Sequence, residues 1–300
     1  MNHIPVLREE SIDGLAIRSG DIILDGTLGG GGHTLEIIRR FGSGVKIIGL
    51  DLDHDAIDRA KSVIGDIPHD VIFRTIGFQD LDKVLDELNI PHVDRILLDL
   101  GISSFQLDIA GRGFSFQRDE PLLMTMQKEP RPEDITARDI VNTWEEKTIA
   151  DIIYAFGEEK YSRRIAQAIV EVRKEKPIET TFDLVAVIDK AVGRSYRGLK
   201  IHPATRTFQA LRIATNSELA NLEKAIDKGF ARLSQGGRMA IITFHSLEDR
   251  IVKHAFRNFK EKGFANLITK KPILPGEDEI KDNPRARSSK LRIIEKIKHD

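Results

Sequence analysis

The stretch Asp21–Asp53, reading DIILDGTLGGGGHTLEIIRRFGSGVKIIGLDLD, constrains this chain more than any other. Apolar Ile22-Ile23-Leu24 ends at Asp25 and runs into Gly26-Thr27-Leu28 and four glycines, Gly29 to Gly32. A helical pattern opens at His33-Thr34 and closes at Gly42-Ser43-Gly44, and a second apolar run, Val45–Leu50, ends on Asp51. Strand, glycine turn, helix, strand and terminal acid form the first half of a nucleotide-binding βαβ unit. Glycines let the backbone turn sharply and approach a ligand with no Cβ in the way. A carboxylate at the tip of the second strand is placed to accept hydrogen bonds from both ribose hydroxyls.

The spacing argues against a dinucleotide. A G-x-G-x-x-G pattern started at Gly29 meets Thr34 in its third position, and started at Gly30 it meets Leu35. No Lys-Ser/Thr follows the glycines, so a P-loop fails as well. A glycine turn without a pyrophosphate cradle, together with a ribose-binding acid, suits S-adenosylmethionine, which has a ribose and a zwitterionic tail but no phosphate. The competing reading is an ordinary tight βα turn.

Further strands are expected at Val71–Arg74 and Asp94–Leu100, the latter (DRILLDL) a nearly continuous apolar run of the kind buried on both faces of a parallel sheet. The alternation stops at Gly101. From Phe105 to Arg212 the pattern is helical, with segments at Ala137–Asn142, Glu146–Phe156, Tyr161–Lys174, Thr181–Val192 and Ala204–Thr215. Strands resume at Arg238–Phe244, Phe264–Thr269 and Leu291–Ile297. The expected fold is α/β: a class I methyltransferase (Rossmann-like) seven-stranded sheet with an inserted all-helical domain. Residues 1–104 and 213–300 would form the cofactor-binding domain, and 105–212 the insertion. His3–Glu10 reads as a short N-terminal arm.

Composition narrows the function. The chain has 300 residues, 40% hydrophobic and 31% charged, as in a globular protein. It has no run of about 18 apolar residues and no signal peptide, so a cytoplasmic location without membrane contact is expected. With no cysteine and no H-E-x-x-H or H-x₃₋₅-H spacing, disulfides, thiolate chemistry and a metal site have no support. The net charge is −1, but Lys190, Arg194, Arg197, Lys200, Arg206 and Arg212 fall in a stretch without an acid. A second basic run holds Arg285, Arg287, Lys290 and Arg292. Either is compatible with a solvated face; beside a nucleotide fold they suggest a phosphate-binding surface. Arg197, Lys200, Arg206 and Arg212 are the candidate phosphate contacts.

In an open α/β sheet, ligands bind beyond the carboxyl ends of the strands. There the sequence offers Asp51 for ribose, Phe78 for adenine stacking, and Asp99 before the polar loop Gly101-Ile102-Ser103-Ser104. Asp99, Ser103 and His245 are the candidate catalytic residues, with a structural role the main alternative for His245.

Six segments together resemble the MraW/RsmH family of bacterial S-adenosylmethionine-dependent methyltransferases. They are His3-Ile4-Pro5-Val6-Leu7, DGTLGGGGHT from Asp25, DLGISS from Asp99, RGFSF from Arg112, HPATRTFQALR from His202 and FHSLEDR from Phe244. They span nearly the whole chain in the family's order. The resemblance implies methylation of the exocyclic N4 of a cytidine in small-subunit (16S) ribosomal RNA. It also implies S-adenosyl-L-methionine contacts at Gly31, Gly32, His33, Asp51, Phe78, Asp99 and Gln106. The expected partners are 16S rRNA in the small ribosomal subunit and a second copy of the chain. Alternatives are another methyl acceptor, or a non-catalytic RNA-binding assembly factor. Departures from the family pattern are Phe105 in place of a proline, Gly77 in place of an asparagine, and EPLLMTMQ from Glu120 where the family has GPLDMRMD. The last costs two acids and an arginine.

Overall fold

A computed structural model describes residues 5–67, 70–128, 130, 133–196 and 201–297. It comprises two compact units, Met1–Gly101 with Leu219–Asp300, and Ile102–Glu218. The second unit extends a few residues past 105–212 at each end, because Ser103 and Gln106 cap one another inside it and Arg212 pairs there with Glu218.

The first unit is built on seven strands: β1 (Ile22–Asp25), β2 (Lys46–Asp51), β3 (Asp70–Thr75), β4 (Val93–Asp99), β5 (Leu233–Thr243), β6 (Ala265–Leu267) and β7 (Lys290–Lys296). Their spatial order is β3-β2-β1-β4-β5-β7-β6. The pairs among β1 to β5 are parallel, while β7 runs antiparallel to both β5 and β6. This is the class I methyltransferase sheet.

Side chains alternate across it, as the two-residue strand repeat requires. Leu24, Ile48, Ile96, Leu98 and Ile241 enter one core, closed by Leu81 and Val84, Leu222 and Phe230, and Val252 and Phe256 of three helices. Ile23, Ile47, Leu97, Ala240 and Ile242 enter the other, closed by Ile37 and Ile38 of the helix Gly32–Phe41. Burial on both faces explains why β4 reads as an unbroken apolar run. Of the expected N-terminal arm His3–Glu10, His3 and Ile4 lie outside the described residues, and the rest packs onto the sheet. Arg8–Leu15 is helical, and Val6, Leu7, Ile12 and Leu15 bury in the second core. β5 also starts earlier than its apolar run, at Leu233, and passes Gly236 in the left-handed region.

The second unit has its own core, in which the helices Ala137–Thr143, Glu146–Gly157, Ser162–Glu175, Thr181–Val192 and Thr205–Asn216 bury residues such as Ile140, Ile153, Ile169, Ile188 and Leu211. Among the described residues, no helix is long and apolar enough to cross a membrane.

Gly157 sets how closely two of these helices approach, since a Cβ there would lie 2.5 Å from the Arg206 carbonyl oxygen. Backbone cannot yield as a flexible side chain can. We expect Gly157→Ala to destabilise the helical unit by about 2 kcal/mol or more, measured by chemical denaturation.

Candidate active site

The carboxyl ends of β2, β1 and β4 lie side by side and carry Asp51, Asp25 and Asp99. Asp25 is 2% exposed. One of its oxygens accepts the Thr27 amide (3.2 Å) and the other the Thr34 hydroxyl (2.7 Å). Thr27 in turn accepts the Asp99 amide at 2.6 Å. A single buried acid therefore links the glycine turn, the helix behind it and the tip of β4. Burial pushes its carboxyl up to about 6, against the hydrogen bonds from Thr34 and Thr27 and with the charge of Asp51 adding to the rise.

Asp51 closes the turn from the other side. Its oxygens accept the Gly29 amide (2.8 Å) and the Asp53 amide (2.8 Å). Burial raises its pKa, partly offset by these donors. Asp99 is different: its Oδ1 is buried with no hydrogen-bond partner. Burial, then the charges of Asp25 and Glu248, hold its carboxyl well above the usual carboxylate range. An orphaned buried carboxylate oxygen is costly and marks a place for an incoming donor. His33 stands near, with Nδ1 3.9 Å from Asp99 Oδ2 and Nε2 3.2 Å from the Val6 carbonyl.

The glycines divide in a way the sequence did not reveal. A Cβ on Gly31 would meet Ala60 at 3.0 Å, and one on Gly32 would meet Pro5 at 2.3 Å. These two are packing glycines; the space beside the turn opens at Gly29 and Gly30, where an added Cβ meets nothing closer than 3.8 Å. Phe78 lies at the same end of the sheet, its Cβ 3.1 Å from the position of a Cβ on Gly26. Lys228 holds that segment by donating to the Gln79 carbonyl (2.9 Å) and to Asp82 (2.9 Å).

His245 serves as the N-cap of the helix Ser246–Glu261. Its Nδ1 accepts the Glu248 amide at 3.4 Å, while Glu248 accepts the amides of Phe244 (2.8 Å) and His245 (3.3 Å). The imidazole is thus fixed by the backbone rather than poised as a base.

In the helical unit, Ser103 and Gln106 form a capping box on Ser104–Asp108, and the Gln106 amide group also donates to the Met126 carbonyl at 3.5 Å. Arg206 hydrogen-bonds Tyr196, whose hydroxyl donates to buried Glu159. Burial and Glu159 push the Tyr196 phenol up to about 12. Arg212 grips Glu218 through two bonds of 2.8 Å. Both arginines therefore have internal anionic or phenolic partners, which charge counting along the sequence cannot register. Arg197 and Lys200 lie outside the described residues. In the unusual Glu120–Gln127 segment, Leu122 and Met124 are core residues, and Asn216 holds the backbone by accepting the Met126 amide (2.8 Å) and donating to the Met124 carbonyl (2.7 Å).

A class I methyltransferase sheet with a glycine turn and acids at its strand tips defines the class: a nucleoside-cofactor methyltransferase. The chain belongs to the MraW methylase family, whose model matches residues 1–297. Curated relatives named ribosomal RNA small subunit methyltransferase H are similar over nearly their whole length. That of Lachnospira eligens is 45% identical, with 98% of each chain covered. That of Clostridium botulinum (strain Kyoto) is 46% identical over 98% of this chain and 99% of the relative. That of Geotalea uraniireducens is 46% identical over 99% of both.

The raised Asp25 carboxyl has a consequence for stability. Between its unfolded value of 3.8 and its folded value of about 6, the folded chain binds more protons than the unfolded one, so stability falls as pH rises through this window. The full effect is on the order of 3 kcal/mol for this group. We expect the stability of Asp25→Asn to gain on the wild type between pH 4 and 7, measured by urea denaturation at each pH.

Proposed function

We propose that this protein transfers a methyl group from S-adenosyl-L-methionine to the exocyclic N4 of a cytidine in small-subunit ribosomal RNA. The observation that carries this is the set of three carboxylates, Asp51, Asp25 and Asp99, on adjacent strand tips around an open glycine turn, one Asp99 oxygen being buried and unpartnered. Crowded, partly desolvated acids favour a cationic, donor-rich ligand. The full-length likeness to proteins named ribosomal RNA small subunit methyltransferase H supports the acceptor.

The residues fit the cofactor. Asp51, which already accepts the Gly29 and Asp53 amides, would hold the ribose hydroxyls, and Phe78 would offer an aromatic face to adenine. Gly29 and Gly30 leave room for close approach, and Gly31, Gly32 and His33 set the turn's shape. When bound, S-adenosylmethionine supplies an electrophilic methyl on a positively charged sulfur. The protein contributes orientation and electrostatics. The unpartnered Asp99 Oδ1 would accept an N–H from the cofactor amino group or from the cytosine amino group. Accepting from N4 would counter the conjugation of its lone pair into the ring, and the N4 proton would pass to a carboxylate oxygen as the N–C bond forms, the methyl–sulfur bond breaks and neutral S-adenosylhomocysteine is left. Ser103 and His245 are positioning residues, through their caps. The target base must leave its stack, which costs least in a non-helical RNA region.

The helical unit Ile102–Glu218 recognises the RNA through cations other than Arg206 and Arg212; Arg163 and Arg164 are exposed on the helix Ser162–Glu175. A cytoplasmic location, 16S rRNA of the small subunit as partner and a homodimeric state complete this reading.

The test is transfer of radiolabelled methyl to small ribosomal subunits that lack the modification, followed by nucleoside analysis. We expect label in N4-methylcytidine. Asp51→Ala should raise the KM for cofactor about 10- to 100-fold with little change in kcat, while Asp99→Ala should lower kcat by about 100-fold or more. Cofactor binding with no label in RNA would overturn the proposal.

A further inference from the structure

A cleft of about 50 Å³ lies in the first unit beside the edge strand β6, lined by Lys253, Arg257, Lys270, Arg292 and Thr269, with Phe256 among its apolar walls. The volume suits a few waters or one tetrahedral oxyanion. Its charge is unbalanced. Asp249 is engaged by Arg292 (2.7 Å) and Lys290 (3.2 Å). Lys253, Arg257 and Lys270 are exposed, and none has an ion pair with an acid among the described residues. Thr269 Oγ1 is buried with no hydrogen-bond partner. Three uncompensated cations around a pocket containing an unsatisfied hydroxyl form an anion site: the cations supply charge and the hydroxyl a directed donor.

Position suggests which anion. Lys253 and Arg257 stand one helical turn apart on Ser246–Glu261, the helix capped by His245 at the strand tips. Lys253 is about 12 Å along the axis from that cap at 1.5 Å per residue, within reach of a few nucleotides. Exposed Lys260, Lys262 and Lys271 continue the positive charge beyond the cleft.

We infer that this cleft seats a backbone phosphate of the RNA substrate, near the nucleotide being methylated. The inference rests on the RNA methyltransferase reading above. It gives the sheet-bearing unit an RNA contact of its own, in which Lys253, Arg257 and Lys270, to which the sequence patterns assigned no role, join Arg292 of the C-terminal basic run.

The test compares the full-length wild type with the triple variant Lys253→Ala, Arg257→Ala, Lys270→Ala. We expect the KM for small subunits to rise about 10-fold, with kcat and S-adenosylhomocysteine affinity unchanged. The slope of log affinity for an rRNA fragment against log salt should fall in magnitude by about one, as for the loss of one phosphate contact. The charge-conserving Lys253→Arg, Arg257→Lys, Lys270→Arg variant should retain wild-type KM and slope. An unchanged KM and slope in the alanine variant overturns the inference. So does a defect confined to binding of phosphatidylglycerol vesicles or of inorganic phosphate, with RNA binding intact. If the wild type binds RNA but methylates none, the functional reading fails, and the salt slope still tests the cleft independently.

Discussion

A buried carboxylate at the end of β1 ties the ligand end of the sheet together. Asp25 takes the Thr27 amide and the Thr34 hydroxyl, and Thr27 takes the Asp99 amide. Three local features thus depend on one residue: the direction of the turn, the start of the helix behind it, and the level at which the tip of β4 stands. The arrangement costs free energy, since an acid nearly sealed from water resists ionising. The cost is compounded by Asp51 and Asp99 on the flanking strands. A protein whose only task was to fold would have little reason to keep three such groups together; one that binds a cationic nucleoside has a use for them.

Much of this was legible from residues 21–53 because its signals are local. A strand ending on an acid, a run of glycines and a second strand ending on an acid fix βαβ geometry over about thirty residues, and neither glycine freedom nor strand burial needs distant partners. The strand count of seven and the helical character of the insertion followed from periodicity for the same reason. The Arg8–Leu15 helix was not legible. Its segment is short and rich in charge, and its helicity depends on burying Ile12 and Leu15 against strands whose positions a linear pattern does not give.

The site was legible in kind but not in detail. Asp51, Phe78 and Asp99 stand at the strand tips, whereas the glycines that border open space are Gly29 and Gly30 rather than Gly31 and Gly32. That distinction depends on Ala60 and Pro5, remote in sequence from the turn or invisible to its motif. Charge was the least readable property. Arg206 and Arg212 stand in a stretch without acids, yet one joins Tyr196 and Glu159 and the other Glu218. The acids behind these contacts, Glu159 and Glu218, lie outside the stretch, so a count of neighbouring charges overstated how much positive charge reaches solvent there. Around Lys253 and Arg257, the nearby Asp249 is engaged by Lys290 and Arg292 of β7, a pairing that no linear pattern gives.

The ends of the sheet carry a consequence for how copies of this chain coexist in solution. At one end β3 is flanked by exposed Asp70 and Thr75, with Arg74 turned to Glu87. At the other, β6 is only three residues long and is followed closely by Lys270 and Lys271. Short, charged margins are poor templates for an additional strand. At the β6 end, edge-to-edge pairing into a continuous ribbon is therefore disfavoured.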